Sequence, residues 1–282
     1  MKPLMIAVIG GALAFGAGLQ SSRAEFLAAE YFPLGCTGPK YYRVSEQEGG
    51  GPWRDALLRA EFHGPVNQIW ELRLYIDGNY DKSVDYSSDP EGLWRHRDRF
   101  VQLLDQDLYE LYEPPLLLLP AQMDEGMIHT ASTSKHGQWY NGSDWIQWTG
   151  SCERRITVVG VETVTVPAGA LEALRIDFVE DSEATSSDGA WSREDHLTGT
   201  EWYVNGLGLV RLEQDWADAV SAGGDPQGSS TGHTSVAMIG VPEPSVITLL
   251  IAGAICLAGG AWRRSGAMAG GAPARSPALR VR

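Results

Sequence analysis

The chain is predicted to be mainly β, one curved antiparallel sheet followed by a single C-terminal transmembrane helix. Three observations carry this. Apolar residues recur at period two, Val/Ile/Thr-rich runs are separated by Gly- and Asp-containing turns, and the one long uncharged run lies at residues 246–262. The sharpest alternation is at Ile69–Ile76, where Trp70, Leu72, Leu74 and Ile76 fall on one face and Glu71, Arg73 and Tyr75 on the other. Asp77-Gly78-Asn79 supplies the turn that follows. Phe100–Leu104 and Leu108–Tyr112 read as a strand pair around Asp105-Gln106-Asp107, with an amphipathic helix over Trp94–Tyr112 as the other reading. Arg155–Val166 and Leu171–Glu180 form a hairpin broken by Pro167-Ala168-Gly169-Ala170. After an acidic, Ser-rich loop at Asp181–Gly189, Trp191–Val204 and Leu209–Trp216 form a second hairpin through Asn205-Gly206-Leu207-Gly208. Such long strands curve, and the apolar concave face needs a helix, a loop or a ligand to cover it.

The two ends stand apart from this pattern. Lys2, the apolar run Leu4–Leu19 and Ser22-Arg23-Ala24 have the order of a secretory signal peptide cut after Ala24, with an uncleaved signal anchor as the alternative. The 17 residues from Val246 to Trp262 reach roughly 26 Å as a helix, the short end of what spans a bilayer. Arg263, Arg264, Arg275, Arg280 and Arg282, with no acid after Glu243, place the C-terminus in the cytoplasm and the N-terminus outside. The organisation expected is a signal peptide at 1–24, an exported β-rich domain at 25–220, a Ser/Gly-rich linker at 221–240, a sorting signal at 241–264 and a disordered basic tail at 265–282.

Between residues 25 and 240 lie 35 acidic and 15 basic residues, a balance of −20. This field repels nucleic acid and anionic lipid headgroups, so neither is expected as a partner of the exported part. Of the three cysteines, Cys256 lies in the apolar span, which leaves Cys36 and Cys152. An oxidising compartment favours a bridge between them, and closing so long a loop would add ~4 kcal/mol in the chain-entropy model.

No catalytic constellation is visible, and no enzyme activity, cofactor or metal is expected. The six histidines give no His-Glu-x-x-His, and Asp195-His196 are strand neighbours that point to opposite faces. Asp77-Gly78-Asn79-Tyr80-Asp81 begins like a calcium loop but has Lys82 where the loop needs Gly and Ser88 where it needs Glu. Asn141-Gly142-Ser143 reads as a turn. The densest aromatic group, Trp139, Tyr140, Trp145 and Trp148, sits among Gly, Asn, Ser and Asp, and either packs over the open side of the sheet or stacks on sugar rings.

Two resemblances add to this reading. Pro242-Glu243-Pro244, the apolar span and Arg263-Arg264 resemble the PEP-CTERM sorting domain of bacterial envelope proteins, which implies processing by an exosortase in a host that makes exopolysaccharide. This chain departs from that pattern in the 18 residues that follow Arg264. Tyr31-Phe32-Pro33-Leu34, Glu113-Pro114-Pro115, Val161–Gly169 and Glu201-Trp202-Tyr203-Val204 with Gly206–Val210 resemble an uncharacterised bacterial envelope family. That family is similar to the lipoprotein carriers LolA and LolB, which implies a half-open β-barrel around an apolar cavity. The function expected is therefore an exported, non-catalytic envelope protein that binds a lipid or other hydrophobic ligand. The alternative is an exopolysaccharide-binding module built on Trp139–Trp148.

Overall fold

The computed structural model describes residues 25–35, 38–101, 107–140, 144–223 and 225–240. Among them the longest hairpin shows how the sequence forms the sheet. β10 (Trp145–Val166) and β11 (Gly169–Ser186) pair antiparallel. Trp148, Cys152, Arg154, Ile156 and Val158 turn inward and are buried, while Gln147, Thr149, Ser151, Glu153 and Arg155 turn outward and are exposed. This is the period-two rule applied over more than twenty residues. The outward set is polar where a lipid-facing barrel would carry an apolar band.

The remaining strands, in chain order, are β1 (Glu25–Leu27), then after a one-turn helix α1 (Ala28–Tyr31), β2 (Lys40–Glu48), β3 (Arg54–Val66), β4 (Ile69–Ile76), β5 (Asn79–Asp89), β6 (Gly92–Val101), β7 (Asp107–Pro120), β8 (Gln122–Asp124) and β9 (Ile128–Tyr140). Beyond the long hairpin come β12 (Trp191–Val204), β13 (Gly208–Ala222) and β14 (Asp225–Gly240). Twelve of them close into one barrel in the order β10-β11-β12-β13-β14-β2-β3-β4-β5-β6-β7-β9, and every neighbouring pair is antiparallel. β1 and β8 pair separately.

Closure corrects the half-open, LolA/LolB-like barrel expected from the resemblance. The strand that fills the gap is β14, which pairs with β13 on one side and β2 on the other. Its residues include most of the stretch read as a linker at 221–240, and the first two of that stretch belong to β13. Ser, Gly and Thr donate and accept ladder hydrogen bonds as well as any residue, and only Val236 and Met238 need to be apolar on this strand's buried face. The acidic loop expected at Asp181–Gly189 is likewise shorter, because β11 continues to Ser186. The segment from Trp94 to Tyr112 is strand on both sides of residues 102–106, not a helix, since β6 and β7 pair along their length. The span at 246–262 lies outside the described residues, among which no helix is long and apolar enough to cross a membrane.

Turn chemistry holds the hairpins in register. Asp77 and Gly78 both have positive φ, 49° and 84°, the geometry of a tight two-residue turn, and the Leu57 amide donates to Asp77 Oδ1 at 2.9 Å. One end of the barrel is plugged by the N-terminal segment. Phe26 and Ala28 are buried with Met123, Leu93, Leu119, Ile156, Val158, Leu174, Ile176, Phe178 and Tyr203 in the main core cluster. The plug is tied in by Ala28 N–H to Ala121 O (3.0 Å), Gly206 N–H to Glu30 O (2.7 Å) and Asn205 Nδ2 to Glu30 Oε2 (3.0 Å). A second cluster joins the tip of the β10–β11 hairpin, through Val164, Val166 and Ala173, to Tyr42, Val210, Val236 and Met238.

Candidate functional site

Beside the plug the barrel interior holds a cavity of about 390 Å³. Its walls come from the inward faces of β2–β5, β13 and β14. Leu72, Leu74 and Ile76 of β4 line it together with Val44, Leu58, Phe62, Val84, Leu209, Leu212 and Val236. Phe32 of the plug meets Phe62, Tyr86 and Tyr203 at ring-centroid distances of 6.0, 5.3 and 6.1 Å. Lys40, Lys82 and Asp81 also border the cavity, and the Lys40 ammonium donates to the Leu207 carbonyl.

Part of the cavity wall is polar. Arg95, Arg154, Glu201, Tyr86 and Tyr203 border it and lead into a buried ionic network. Arg154 donates from Nη1 to Glu180 at 3.1 Å and from Nη2 to Glu201 at 2.8 Å, and Tyr203 donates its hydroxyl to the same Glu201 oxygen at 2.9 Å. Arg95 grips Asp98 through Nε at 2.8 Å and through a second nitrogen, and its Nη1 stands 3.4 Å from Glu180. The guanidinium groups also lie over rings, Arg95 over Tyr112 at 4.8 Å and Arg154 over Phe178 at 4.4 Å. The network continues away from the cavity through Lys135, which donates to Ser182 at 2.9 Å and lies 3.9 Å from Glu110.

Local strand geometry places these groups. Arg154 and Glu180 are directly opposed in the β10–β11 register. Arg95 and Asp98 are three residues apart and would face opposite sides of a regular strand. A register shift between Arg95 and Arg97, against the Glu113-Pro114-Pro115 segment of β7, brings them together.

Burial by itself would raise the pKa of Glu180 and Asp98, but Arg95, with Arg154 beside Glu180, outweighs it and holds both carboxyls below their ordinary values. Burial pushes Glu110 upward despite Lys135. The sign of the pH dependence follows. Glu180 and Asp98 stabilise the fold above their ordinary values of 4.5 and 3.8, and this contribution is lost as the pH falls through their lowered folded values. Glu110 acts in the opposite sense, contributing below 4.5 and losing that contribution as the pH rises through its raised value. Urea midpoints measured from pH 7 to pH 3 are expected to fall steeply below about 4.5. In Glu180→Gln the fall should be shallower, and equal slopes in the two proteins would contradict this assignment.

The residues singled out in the sequence are distributed differently. Trp148 is buried, with Lys135 5.5 Å from its ring, and its close packing requires Gly137, where a Cβ would come within 2.4 Å of the indole. Trp145 is 45% exposed and lies on the opposite face of β10, so these two rings do not share one platform. Trp139 and Tyr140 pair through their backbones with Ile146 and Trp145, and their side chains fall outside the described residues. Cys152 is buried beside Tyr112 and Leu116, and burial pushes its thiol up to about 12. Cys36 and the sorting residues Pro242, Glu243, Pro244, Arg263 and Arg264 also fall outside the described residues. His196 pairs across the strands with Asp181, and the adjacent Asp195 accepts from Ser182 at 3.3 Å instead. Among the described residues no group of three or more His, Cys, Asp and Glu is placed to hold a metal ion.

No family model and no curated protein matches the chain. In structure it is similar to an exported-protein candidate of YmcC-like fold from Bacteroides fragilis, with 12% identity over 76% of this chain and 99% of that one and a TM-score of 0.40. It is also similar to a lipoprotein candidate from Parabacteroides distasonis, with 13% identity over 73% and 96% and a TM-score of 0.26. A third similar structure is the hypothetical lipoprotein YmcC of Escherichia coli, with 12% identity over 75% and 94% and a TM-score of 0.28.

Proposed function

We propose that this chain is an exported, non-catalytic envelope protein whose barrel holds a hydrophobic ligand. The observation that carries the reading is the cavity of about 390 Å³, its lining divided between a majority of aliphatic and aromatic side chains and a smaller set of charged and polar groups. That division is what small-molecule sites share, apolar contact area with a few polar groups to orient the ligand. Export rests on the segment from Lys2 to Ala24, and delivery to the envelope on Pro242-Glu243-Pro244, the apolar span and Arg263-Arg264. An exosortase is the processing partner those residues imply, and the alternative is retention as a single-pass membrane protein.

Native mass spectrometry of the purified protein is expected to show a retained or added lipid-sized mass. Ala60 is buried on the cavity wall, and Ala60→Phe fills the space. It should weaken binding of the neutral fluorophore N-phenyl-1-naphthylamine by about tenfold, the equivalent of about 1.4 kcal/mol. An unchanged affinity in a folded variant would sink the reading. For the sorting signal, C-terminal peptide mapping of protein from envelope and medium should find chains ending upstream of Arg263. Arg282 intact in every mature molecule would leave only the anchor.

A further inference from the structure

One cation on the cavity wall stands apart from the ionic network. Lys40, Ala60, Leu74, Lys82 and Phe100 are successive cross-strand partners from β2 to β6, a single row on the inner face of the barrel. All but Phe100 line the cavity. The other cations there are engaged: Lys40 donates to the Leu207 carbonyl, and Arg95 and Arg154 hold Asp98, Glu180 and Glu201. Lys82 has neither a hydrogen bond nor an ion pair among the described residues. The side chain is half-buried, and its ammonium keeps open surface and lies 5.4 Å from the centre of the Phe100 ring.

No neighbour neutralises that charge. An aromatic ring attracts a cation but carries no net charge of its own. Asp98 feels the ammonium, yet it is sealed in the wall and gripped by Arg95. Asp81 sits at the irregularity in β5 beside Lys82, is exposed and makes no ion pair with it. Residues 25–240 carry 35 acids against 15 bases, so a scarcity of carboxylates does not explain an inward lysine left without one. The wall around it is aliphatic, with Leu74 across the strand and Val84 two residues on. A lone charge on such a wall holds an amphiphile's head of opposite sign while the tail displaces water from the apolar surface.

Resting on the hydrophobic-ligand reading, we infer that the cavity takes a single-chain carboxylate amphiphile whose head pairs with Lys82 Nζ. The tail lies along Leu74, Leu72 and Phe62 toward Phe32. One ammonium balances one negative charge, so the doubly charged head of a phosphate monoester would leave a charge unpaired in the barrel. An ammonium head would meet Lys82 as a like charge, and a hydroxyl head would leave it without a counter-charge. The 390 Å³ available equals about thirteen waters at ~30 Å³ each, room for one chain of about a dozen carbons and not for two.

The test is displacement of N-phenyl-1-naphthylamine from the full-length protein by dodecanoate, dodecanol and dodecyltrimethylammonium at about pH 8, where the carboxylate is charged. Dodecanoate is expected to displace the fluorophore at a concentration about tenfold lower than dodecanol, with the ammonium weakest. Lys82→Met keeps an unbranched apolar stem and removes the charge, and should bring acid and alcohol to within about twofold of each other while the fluorophore still binds. Lys82→Glu should reverse the order, with dodecyltrimethylammonium ahead of dodecanoate, and reads the same contact if Lys82→Met does not fold. Equal displacement by acid and alcohol in the unaltered protein would overturn the inference and leave the hydrophobic-ligand reading standing. So would an acid preference that survives Lys82→Met or Lys82→Glu. If neither the fluorophore nor any chain binds, the hydrophobic-ligand reading falls and takes this inference with it.

Discussion

Deleting residues 225–240 is expected to abolish the folded barrel. β14 pairs with β13 at twelve positions and with β2 at eight. The net worth of such ladder hydrogen bonds is about 0.5–1.5 kcal/mol each. Val236 and Met238, at 7% and 1% exposure, add about 1.5–3 kcal/mol apiece on burial. The total reaches the whole 5–15 kcal/mol by which a domain is stable. The deletion also leaves β13 and β2 as open edges, which invite pairing with other chains. Size-exclusion chromatography should show aggregated protein, and denaturant titration should show no cooperative transition. Removal of residues 241–282 is the matched control and should leave the urea midpoint of the barrel unchanged. A cooperative, monomeric protein lacking 225–240 would mean that this segment is a tether after all.

The second large effect is expected at Glu180, which bridges Arg95 and Arg154. Glu180→Leu leaves both guanidinium groups buried with one carboxylate each, Asp98 and Glu201. Breaking a buried ion network by removing one partner costs about 3–5 kcal/mol, most of it the penalty of the charge left behind. For a domain of this size that corresponds to a fall in Tm of roughly 6–20 °C. Glu180→Gln keeps the hydrogen-bonding atoms and should cost less. Calorimetry showing a fall of under ~2 °C for Glu180→Leu would mean that water reaches these arginines, since solvated pairs contribute only about 0–1 kcal/mol.

Part of the cavity wall could be read from the sequence. The alternation at Ile69–Ile76 matches β4 at both ends, and Leu72, Leu74 and Ile76 from its apolar face line the cavity. β12 also runs over the expected Trp191–Val204. The polar side of the site was harder to see, because its members come from four strands and each looks like an ordinary charged residue. Arg154 and Glu180 did carry a signal. Arg154 has the parity of Ile156 and Val158, and Glu180 that of Phe178, Ile176 and Leu174, so each continues an apolar face as a charge. Asp98 carried none, since its inward position depends on the irregularity after Arg95. Barrel closure was hidden for a different reason. A strand rich in Ser, Thr and Gly contributes its backbone more than its side chains, and composition does not report backbone pairing.

The last strand also changes how far the barrel can stand from a bilayer. β14 ends at Gly240 and the apolar span begins at Val246, so residues 241–245 are all the chain between them. Five residues reach at most about 17 Å even when fully extended. With the span seated in a membrane, the final strand would be moored within that distance of the headgroups, close enough for a ligand of the kind proposed, on leaving the cavity, to meet the lipid surface without the protein travelling to it.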